Sequence, residues 1–422
     1  MVKLFIRKKE RNQKVLILTV CTMISFSPIV HFVNQLCRLI FGTGFSLDTL
    51  LCYAILLGML LASLKQLHFQ IKVDALFLVV LFAVAYLLSY YSNEKLHSYL
   101  FTRWDDFVGN PVYLLFAFSI PAYVFMRYIT EYDRLFETCR IFSLVVVLCS
   151  IGSFILMFLR DRQPEYMSFS YNLLFATIFS LIYFIKRRKV LLLLAAIAGL
   201  IMIFLAGARG PLVCVLSSLL VYLLISKAAV AKKTLLVFLL LSIGFVIMLI
   251  WEPLLTALKD FADSAGISIR TVDLLIDGEF SSDSGRLQFQ QKIIEGFSLL
   301  GSGLYGDRLL GEYHYAHNLI IELIAQWGCI LGVILVVILC VLLFKGFHTK
   351  DTNLQLLVLV FFSSSFVKLM FSGSYLSYNA GFFVLIAACV NAVDVRKAAP
   401  AMEASAPQIK KSKYIKAAGR YG

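Results

Sequence analysis

Long apolar runs separated by short polar connections fill most of the chain, from about residue 15 to about residue 393. Runs of about 20 apolar residues are long enough to cross a hydrocarbon core about 30 Å thick as α-helices. Strands of a membrane barrel would instead give segments of about ten residues in which apolar and polar positions alternate. The pattern therefore predicts an all-α polytopic integral membrane protein.

Twelve transmembrane helices are predicted, with a long extracytoplasmic loop between helices 9 and 10. Residues 1–251 would form an N-terminal membrane region of nine helices, and residues 252–316 would form the loop, which contains an amphipathic helix. Residues 317–398 would form a C-terminal membrane region of three helices, followed by a basic cytoplasmic tail at 399–422. The predicted spans are residues 15–35, 48–64, 74–92, 107–126, 141–159, 168–185, 190–206, 211–226, 234–251, 317–344, 354–373 and 376–393.

The composition excludes an ordinary soluble domain, because the mean hydropathy is +0.85 and only 15% of the residues are charged. The first apolar run lacks a small-residue cleavage site, so it is predicted to be a retained span and not a signal peptide. The nine cysteines show neither a CxxC pair nor the spacing of a secreted disulfide framework. They are interpreted as small apolar side chains, with no metal site and no disulfide expected.

The distribution of positive charge predicts the direction in which the helices cross the membrane. Twelve spans put both termini on one side, which carries about 27 of the 39 lysines and arginines, against about 11 on the other side. The positive-inside bias then places both termini in the cytoplasm. The net charge of +14 is therefore interpreted as a topology signal facing anionic lipid, and not as a surface that binds nucleic acid.

Three polar motifs would consequently lie on the extracytoplasmic face. The first is the turn Gly207-Ala208-Arg209-Gly210-Pro211, in which Pro211 suits the first position of a helix. Arg209 would lie just ahead of that helix, whose free N–H groups and positive dipole end attract anions. This arrangement suits a phosphate or diphosphate at the membrane surface. The structural alternative is an arginine that snorkels to the head groups and anchors the turn.

The second motif lies in the long loop, where SSDSGRLQFQQKIIEGFSLLGSGLYG predicts a capped amphipathic helix followed by a turn at Gly301 and Gly303. Arg286 and Gln290, four residues apart, would share its more polar face. The apolar face is too broad for a helix in water, so the helix is expected to lie on or fold into the outer mouth of the bundle. A plain interfacial helix whose arginine contacts lipid phosphate is the alternative. The apolar positions are Leu287, Phe289, Ile293, Ile294, Phe297 and Leu300.

The third motif, EYHYAHNLIIELIAQWGCILG, opens the tenth span. Asn318, Glu322 and Gln326 fall on one stripe of the helix, and polar groups at that depth are expected to face the bundle interior or a wet cavity. His317 can exchange a proton near neutral pH, because a free imidazole has a pKa of about 6.5. For His317 and for the neighbouring His314, an interfacial histidine bonded to a backbone carbonyl is the alternative.

Further polar and small residues receive simpler interpretations. Gly328 and Gly332 form a small-xxx-small pair, which is typical of close helix packing. Lys368, in SSSFVKLMFSG near the outer end of the eleventh span, is a further candidate cation, with snorkelling as its alternative. The outer charges in RWDDF and RDRQPEY, among them Asp105 and Arg160, are interpreted as solvated loop charges.

In combination and order, these motifs resemble the O-antigen ligase and polymerase superfamily of bacterial glycan polymerases and ligases. The resemblance rests on GARG, on SGR opening a helix in a late outer loop, and on HN followed about ten residues later by glycines; it covers about residues 200–335. It implies a membrane fold like that of glycosyltransferases of the C type. Ligases of the superfamily end the glycine-rich motif in Thr-Gly. Here nine residues separate Asn318 from Gly328 but no Thr-Gly follows, which argues against the ligase branch.

Residue by residue, the resemblance carries the catalytic positions of the superfamily onto Arg209, Arg286 and His317. In that superfamily the arginines hold the pyrophosphate of an undecaprenyl-linked glycan, and the histidine is proposed to activate the acceptor hydroxyl. Glu322 could orient the histidine. Substrate-binding positions are expected at Asn318, Glu322, Gln326, Lys368 and His314.

The resemblance implies a membrane glycosyltransferase that uses a lipid-diphosphate-linked sugar donor without a metal or another cofactor. The expected function is polymerisation of O-antigen, capsule or exopolysaccharide units on the outer face of the bacterial cytoplasmic membrane. Expected partners are the undecaprenyl-diphosphate-linked glycan, the lipid bilayer, a chain-length regulator and a flippase, and no nucleic acid.

Other functions stay open at this point. A ligase would use the same donor but pass the glycan to lipid A core or another acceptor, and the sequence does not display the acceptor site. A transporter or flippase of lipid-linked sugars should show paired broken helices or an internal repeat, with polar groups near the middle of the membrane, and the sequence shows none. A pure scaffold would leave the combination of arginines and histidine unexplained.

Overall fold

Every regular element in the described part of the chain is a helix. The computed structural model describes residues 2–42, 47–67, 72–97, 114–158, 166–206, 208–226, 286–311, 315–377 and 379–405, with five isolated positions between 256 and 264. The helices are α1 (Val2–Phe41), α2 (Leu47–Gln66), α3 (Val73–Ser92), α4 (Leu114–Tyr128), α5 (Tyr132–Phe158), α6 (Tyr166–Arg187), α7 (Val190–Leu205), α8 (Arg209–Ile225), α9 (Arg286–Glu295), α10 (Gly306–Leu310), α11 (Leu319–Phe347), α12 (Thr352–Leu369) and α13 (Ala380–Ser405).

The structure confirms a helical membrane protein. Six helices, α1, α3, α5, α6, α11 and α12, are long and apolar enough to cross a membrane, and α2, α4, α7, α8 and α13 are shorter apolar helices. These eleven helices occur at the predicted positions, whereas the predicted ninth span at 234–251 lies outside the described residues. Most of the predicted long loop, up to residue 285, lies outside them too, as do Asp105 and Arg160.

Helices α1 and α13 extend furthest beyond their predicted spans. Helix α1 begins at Val2, so the basic N-terminal segment continues the first span as one helix of 40 residues. Helix α13 continues to Ser405, past the predicted end of the last span and into the predicted tail. Hydropathy marks only the apolar part of a helix, and both extensions are rich in charged residues or alanine that suit a helix equally well.

The outer helices leave large apolar side chains exposed, among them Leu57 on α2, Leu88 on α3 and Val337 on α11. A surface of this kind is a liability in water, whereas lipid solvates it without cost. The core lies between α1, α4, α6, α12 and α13, and in α12 every residue from Leu354 to Phe361 but Gln355 is buried. The packing thus separates a lipid-facing shell from a closed interior.

A cluster of charged and amide side chains closes one end of the bundle. Arg127 at the end of α4 is only 4% exposed and pairs with Asp74 on α3 and, at 2.9 Å, with Asp394 on α13. Asn391 accepts a hydrogen bond from the same guanidinium and donates to the Met126 carbonyl oxygen at 2.9 Å. This Arg127 cluster (Asp74, Arg127, Asn391 and Asp394) joins three helices, and the sequence interpretation did not predict it.

The loop after α9 and the second half of the chain meet at the opposite end. Helix α3 begins at the Arg127 cluster and ends at Ser92. In its last turn the Ser89 hydroxyl accepts a hydrogen bond from the Leu304 N–H at 2.7 Å. Helix α11 begins at this end with Leu319 and finishes at Phe347, whose carbonyl accepts a hydrogen bond from Gln355. The start of α11 and the loop before it therefore share one end of the bundle.

Helix α11 is broken at Gly328, where φ is 84° and ψ is 166°. The predicted turn at Gly301 and Gly303 is present, since both residues have a φ of 81°. The turn fills the break: the Ser302 N–H donates to the Ala325 oxygen at 2.9 Å, and the Gly303 N–H donates to the Gln326 oxygen at 3.1 Å. The carbonyl groups freed by the break are thereby satisfied inside the protein, as membrane helices require.

The break corrects the expectation that Gly328 and Gly332 let two helices pack closely. A Cβ atom on Gly328 would collide with the backbone of Leu299 and Leu300, and one on Gly332 would collide with the preceding turn at Ile324. The small residues thus accommodate the turn and the bend of α11 itself. A spacing of four in the sequence cannot distinguish this use from packing against a neighbouring helix.

Candidate active site at one end of the helix bundle

Arg209 is the first residue of α8 and is half-buried. The sequence pattern places Pro211 at the first helical position, but α8 begins two residues earlier and Pro211 is its third residue. Arg209 therefore lies in the first turn, where the backbone N–H groups have no partner within the helix. Arg209 thus lies at the helix N-terminus as expected, with a shift of the kind usual at helix ends.

Tyr171, in the second turn of α6, lies where several of the predicted site segments meet. Its hydroxyl lies so close to Gly210 that a Cβ atom there would collide with it. The Lys368 Nζ lies 5.3 Å from the centroid of the Tyr171 ring, a cation–π contact. The same hydroxyl is hydrogen-bonded to Ser372. Tyr171 thus connects the first turn of α8 with the end of α12.

Arg286 reaches the end of α12 from the loop. It is the first residue of α9, and its Nη1 donates a hydrogen bond to the Phe371 carbonyl oxygen at 3.1 Å. Phe371 in turn donates its N–H to the Lys368 oxygen at 3.0 Å. Arg286 is also within electrostatic range of Tyr171. The loop arginine and Lys368 are therefore neighbours in the fold although 82 positions separate them in the chain.

Helix α9 has the predicted amphipathic character but buries little of its apolar face. Ile293 is fully buried against Ala316 and Ala325, whereas Leu287 is 65% exposed. Leu300, beyond the end of the helix, is 91% exposed. The predicted capping residues at 282–284 lie outside the described residues.

His317 is attached to α9 through the residue that precedes it. The Gln290 Nε2 donates to the Ala316 carbonyl oxygen at 3.1 Å, so that Arg286 and Gln290 act from one face of α9 as the spacing predicts. The His317 ring packs on the Tyr315 ring with centroids 3.9 Å apart. Its backbone has a φ of 51°, a left-handed conformation that marks a sharp turn into α11.

Asn318 caps α11. Its Oδ1 accepts hydrogen bonds from the N–H groups of Ile320 at 3.0 Å and Ile321 at 3.3 Å, which an N-terminal cap is expected to do. The oxygen of this side chain therefore stabilises the start of the helix directly after His317. His314, the other predicted histidine, lies outside the described residues.

Glu322 and Gln326 face the bundle interior, one of the two surroundings expected for them, and belong to a buried hydrogen-bond network. Glu322 is 1% exposed and accepts hydrogen bonds from the Ser374 hydroxyl, the Tyr375 N–H and the Gln326 amide. Gln326 also donates to the Asp307 carboxylate at 2.6 Å and accepts from the Tyr375 hydroxyl at 2.6 Å. The contacts described for Glu322 are thus with Ser374, Tyr375 and Gln326, and its role in orienting the histidine stays a prediction.

Asp307, on the short helix α10, is the polar partner that the sequence interpretation missed. It is almost fully buried and accepts hydrogen bonds from Gln326 and from the Ala316 N–H at 3.2 Å. Burial raises the pKa of the Asp307 carboxyl, and these two donors offset only part of that effect. The network thus joins the loop, α11 and the segment after α12 behind the histidine turn.

The structure therefore brings Arg209, Arg286 and Lys368 to one end of the bundle, where His317 and Asn318 also lie. Tyr171 is the shared neighbour of the segments that bear Arg209, Arg286 and Lys368, and sequence reasoning missed it. A tyrosine near the end of a membrane helix is common at lipid interfaces, so its position alone carried no functional signal. Ser372 was missed for a similar reason, because serine is frequent in turns.

A bundle of apolar helices with basic residues and a histidine gathered at one end defines a membrane protein with a polar reaction or binding site. Residues 194–337 match a family model described as O-antigen ligase, over about a third of the chain. This match supports the resemblance to the O-antigen ligase and polymerase superfamily, whose members are glycosyltransferase-like enzymes. No curated protein and no solved structure matches the chain.

Proposed function

We propose that this protein is a polysaccharide polymerase that acts on the extracytoplasmic face of the bacterial cytoplasmic membrane, with both termini in the cytoplasm. It would transfer a glycan from an undecaprenyl-diphosphate-linked donor to a hydroxyl group of an acceptor glycan. The observation that carries the proposal is the convergence on Tyr171 of the segments that bear Arg209, Arg286 and Lys368, with His317 beside Tyr315 at the same end of the bundle. The cations that would stabilise the leaving diphosphate and the base that would deprotonate the acceptor hydroxyl thus lie at the same end of the bundle.

The donor requires positive charge at the height of the lipid head groups. When the acceptor oxygen attacks the anomeric carbon, the bond from that carbon to the diphosphate oxygen breaks and negative charge grows on the diphosphate. Arg209 in the first turn of α8, Arg286 and Lys368 supply guanidinium and ammonium groups that stabilise this charge. The free N–H groups at the start of α8 favour the same anion.

The acceptor requires a group that takes up the hydroxyl proton as the new glycosidic bond forms. The imidazole of His317 can accept this proton and later release it to water, provided that it comes within about 3 Å of the hydroxyl oxygen. The cap at Asn318 and the Gln290 contact to Ala316 hold both sides of the histidine turn. The fold therefore holds the histidine turn from both sides.

The ligase remains the second candidate, because the family model that matches residues 194–337 is described as O-antigen ligase. Donor chemistry and site would be the same, and only the acceptor would differ. A transporter is less well supported. Helix α11 is indeed broken, but the Ala325 and Gln326 oxygens at the break are occupied by the Ser302 and Gly303 N–H groups and not open to a solute.

The reaction is tested with purified protein in lipid nanodiscs, supplied with undecaprenyl-diphosphate-linked repeat units and, separately, with lipid A core as an additional acceptor. A polymerase gives lipid-linked products that grow by whole repeat units without any other acceptor. Transfer that occurs only onto lipid A core would instead establish the ligase. Absence of transfer onto either acceptor by a folded protein contradicts glycan transfer altogether.

A further inference from the structure

A second polar cleft opens beside the candidate site, between α1, α5 and α6. Its volume is about 110 Å³ and it is partly open. Pro28 on α1 and Met157 on α5 contribute to its wall. Because Ser168 and Asn172 lie in the first two turns of α6, the cleft is at the same end of the bundle as Tyr171. The polar and aromatic lining residues are His31, Ser150, Ser153, Ser168, Phe169 and Asn172.

The cleft offers hydroxyl and amide groups, and none of its lining residues is a lysine, an arginine or a carboxylate. Ser153 is 1% exposed, and its Oγ has no hydrogen-bond partner among the described residues. A buried hydroxyl without a hydrogen-bond partner is unfavourable. A ligand that supplies this partner would therefore bind with a more favourable free energy. Phe169 adds an aromatic surface to this polar lining.

Asn172 connects the cleft with the candidate site. It also lines a smaller cavity of about 70 Å³, whose wall includes Tyr171, Lys368, Ser364 and Asn379. The Ser364 Oγ is a further buried hydroxyl without a partner in the described part of the chain. A ligand in the cleft would therefore lie one side chain away from the group of cations around Tyr171.

We propose that the cleft between α1, α5 and α6 binds a sugar unit of the acceptor glycan, an inference that rests on the proposed glycan transfer. The two substrates differ in charge. The donor diphosphate is anionic, whereas a neutral sugar of the acceptor presents hydroxyl groups and an apolar ring face. The cations lie on the Tyr171 side, and the hydroxyl, amide and phenyl groups lie on the Ser153 side. Asn172 lies between the cleft and the cavity beside Tyr171. An acceptor in the cleft would therefore lie next to the donor but apart from the cations.

The test measures binding of the glycan that mild acid releases from the lipid-linked polymer of the source strain, titrated into the full-length protein in nanodiscs. Asn172→Leu keeps the size of the side chain and removes its amide, and Ser153→Ala removes one hydroxyl without adding volume. Each is expected to weaken binding about threefold to tenfold, the effect of one lost hydrogen bond. Inorganic pyrophosphate should not displace the glycan.

The matched control is Ser143→Ala on the same helix α5. Ser143 is also buried, but its hydroxyl donates to the Arg140 carbonyl oxygen at 2.8 Å and lies outside the cleft. Binding by this variant should equal that of the wild type. Equal binding by all variants, absence of glycan binding by the wild type, or displacement by pyrophosphate would each overturn the acceptor site.

The outcome is separable from the proposed function. His317→Ala should stop transfer, and in this variant Asn172→Leu should still weaken glycan binding, because the histidine is not part of the cleft. If the wild type transfers no glycan while binding still depends on Asn172 and Ser153, the proposed transfer fails and the sugar site stands. If transfer occurs and the acceptor KM is the same in both cleft variants, the sugar site fails and the transferase stands.

Discussion

At the scale of the single residue, Lys368 shows how the site holds a positive charge among apolar helices. Its ammonium group lies over the Tyr171 ring, 5.3 Å from the centroid. Taking an ammonium out of water is costly, and a cation–π contact returns only a part of that cost. A charge kept at such a position is better explained by an anionic ligand than by stability.

Replacing this charge separates the two explanations. Lys368→Met keeps the length and much of the packing of the side chain while it removes the ammonium. We expect glycan transfer to fall about tenfold or more, the effect of one lost charge-assisted hydrogen bond to the diphosphate. Thermal stability in detergent should stay the same or rise, because no charge remains to be desolvated. Unchanged transfer by the folded variant would mean that the lysine only snorkels.

Single residues also show the limit of sequence reasoning about the site. The spacing of Asn318, Glu322 and Gln326 correctly places them on one face of α11, but it says nothing about what that face meets. In the fold it meets Asp307 and Tyr375, which lie 11 residues before and 57 residues after Asn318 and lack any local pattern that would mark them. A helix face is a local property, whereas its partners are set by long-range packing.

At the scale of the element, α11 is two helical segments joined at Gly328. The combination of a φ of 84° with a ψ of 166° is accessible almost only to glycine. The backbone of the 298–303 turn occupies the space on the Cα side of this residue. Helix and loop therefore depend on each other, and the position of His317 depends on both through the network at Gln326.

A methyl group at the break should consequently destabilise the whole protein. Gly328→Ala is expected to lower stability by at least about 1–3 kcal/mol from backbone strain alone, with the collision against Leu299 adding to it. Thermal unfolding of the detergent-solubilised protein measures the change. Gly58→Ala on α2 is the control, because a Cβ atom there meets nothing within 4 Å, and it should be neutral or slightly stabilising. Equal stability of the two variants would contradict the account of the break.

Helices were the most predictable elements, because a run of apolar residues near 20 has few alternatives to a membrane helix. Eleven of the twelve predicted positions carry helices in the described residues. The break at Gly328 was not predictable in the same way, since glycine is tolerated within membrane helices and also breaks them. Which of the two occurs depends on the turn that fills the gap, 25 to 30 residues earlier in the chain.

At the scale of the whole molecule, the bundle has two polar ends with different contents. At one end Arg127, Asp74 and Asp394 neutralise each other in close ion pairs. At the other end the segments of Arg209, Arg286 and Lys368 come together. Arg286 donates to the Phe371 carbonyl oxygen, and the Lys368 ammonium lies over the Tyr171 ring. Paired charge is typical of a structural clamp, whereas the cations at the other end are the groups that we propose to bind the donor diphosphate.

The paired end should therefore matter for stability and not for chemistry. Arg127→Leu leaves two carboxylates without their shared partner and is expected to cost about 3 kcal/mol, with part of the loss recovered by adding Asp74→Asn. The rate of glycan transfer per folded molecule should stay near that of the wild type, because the cluster lies at the far end of the bundle. A large fall in the rate of correctly folded Arg127→Leu would contradict this division of the molecule.

The measurement that tests the central claim most directly is the rate of glycan transfer by three variants of the site in nanodiscs, each checked for folding by thermal unfolding. His317→Ala should lower the rate about a hundredfold or more, as loss of a general base does, and Arg209→Ala and Arg286→Ala should each lower it about tenfold or more. Lys292→Ala, which removes an exposed charge from the same helix α9 as Arg286, is the control and should transfer normally. Transfer at the wild-type rate by the folded His317→Ala and Arg286→Ala variants would show that the chemistry takes place elsewhere.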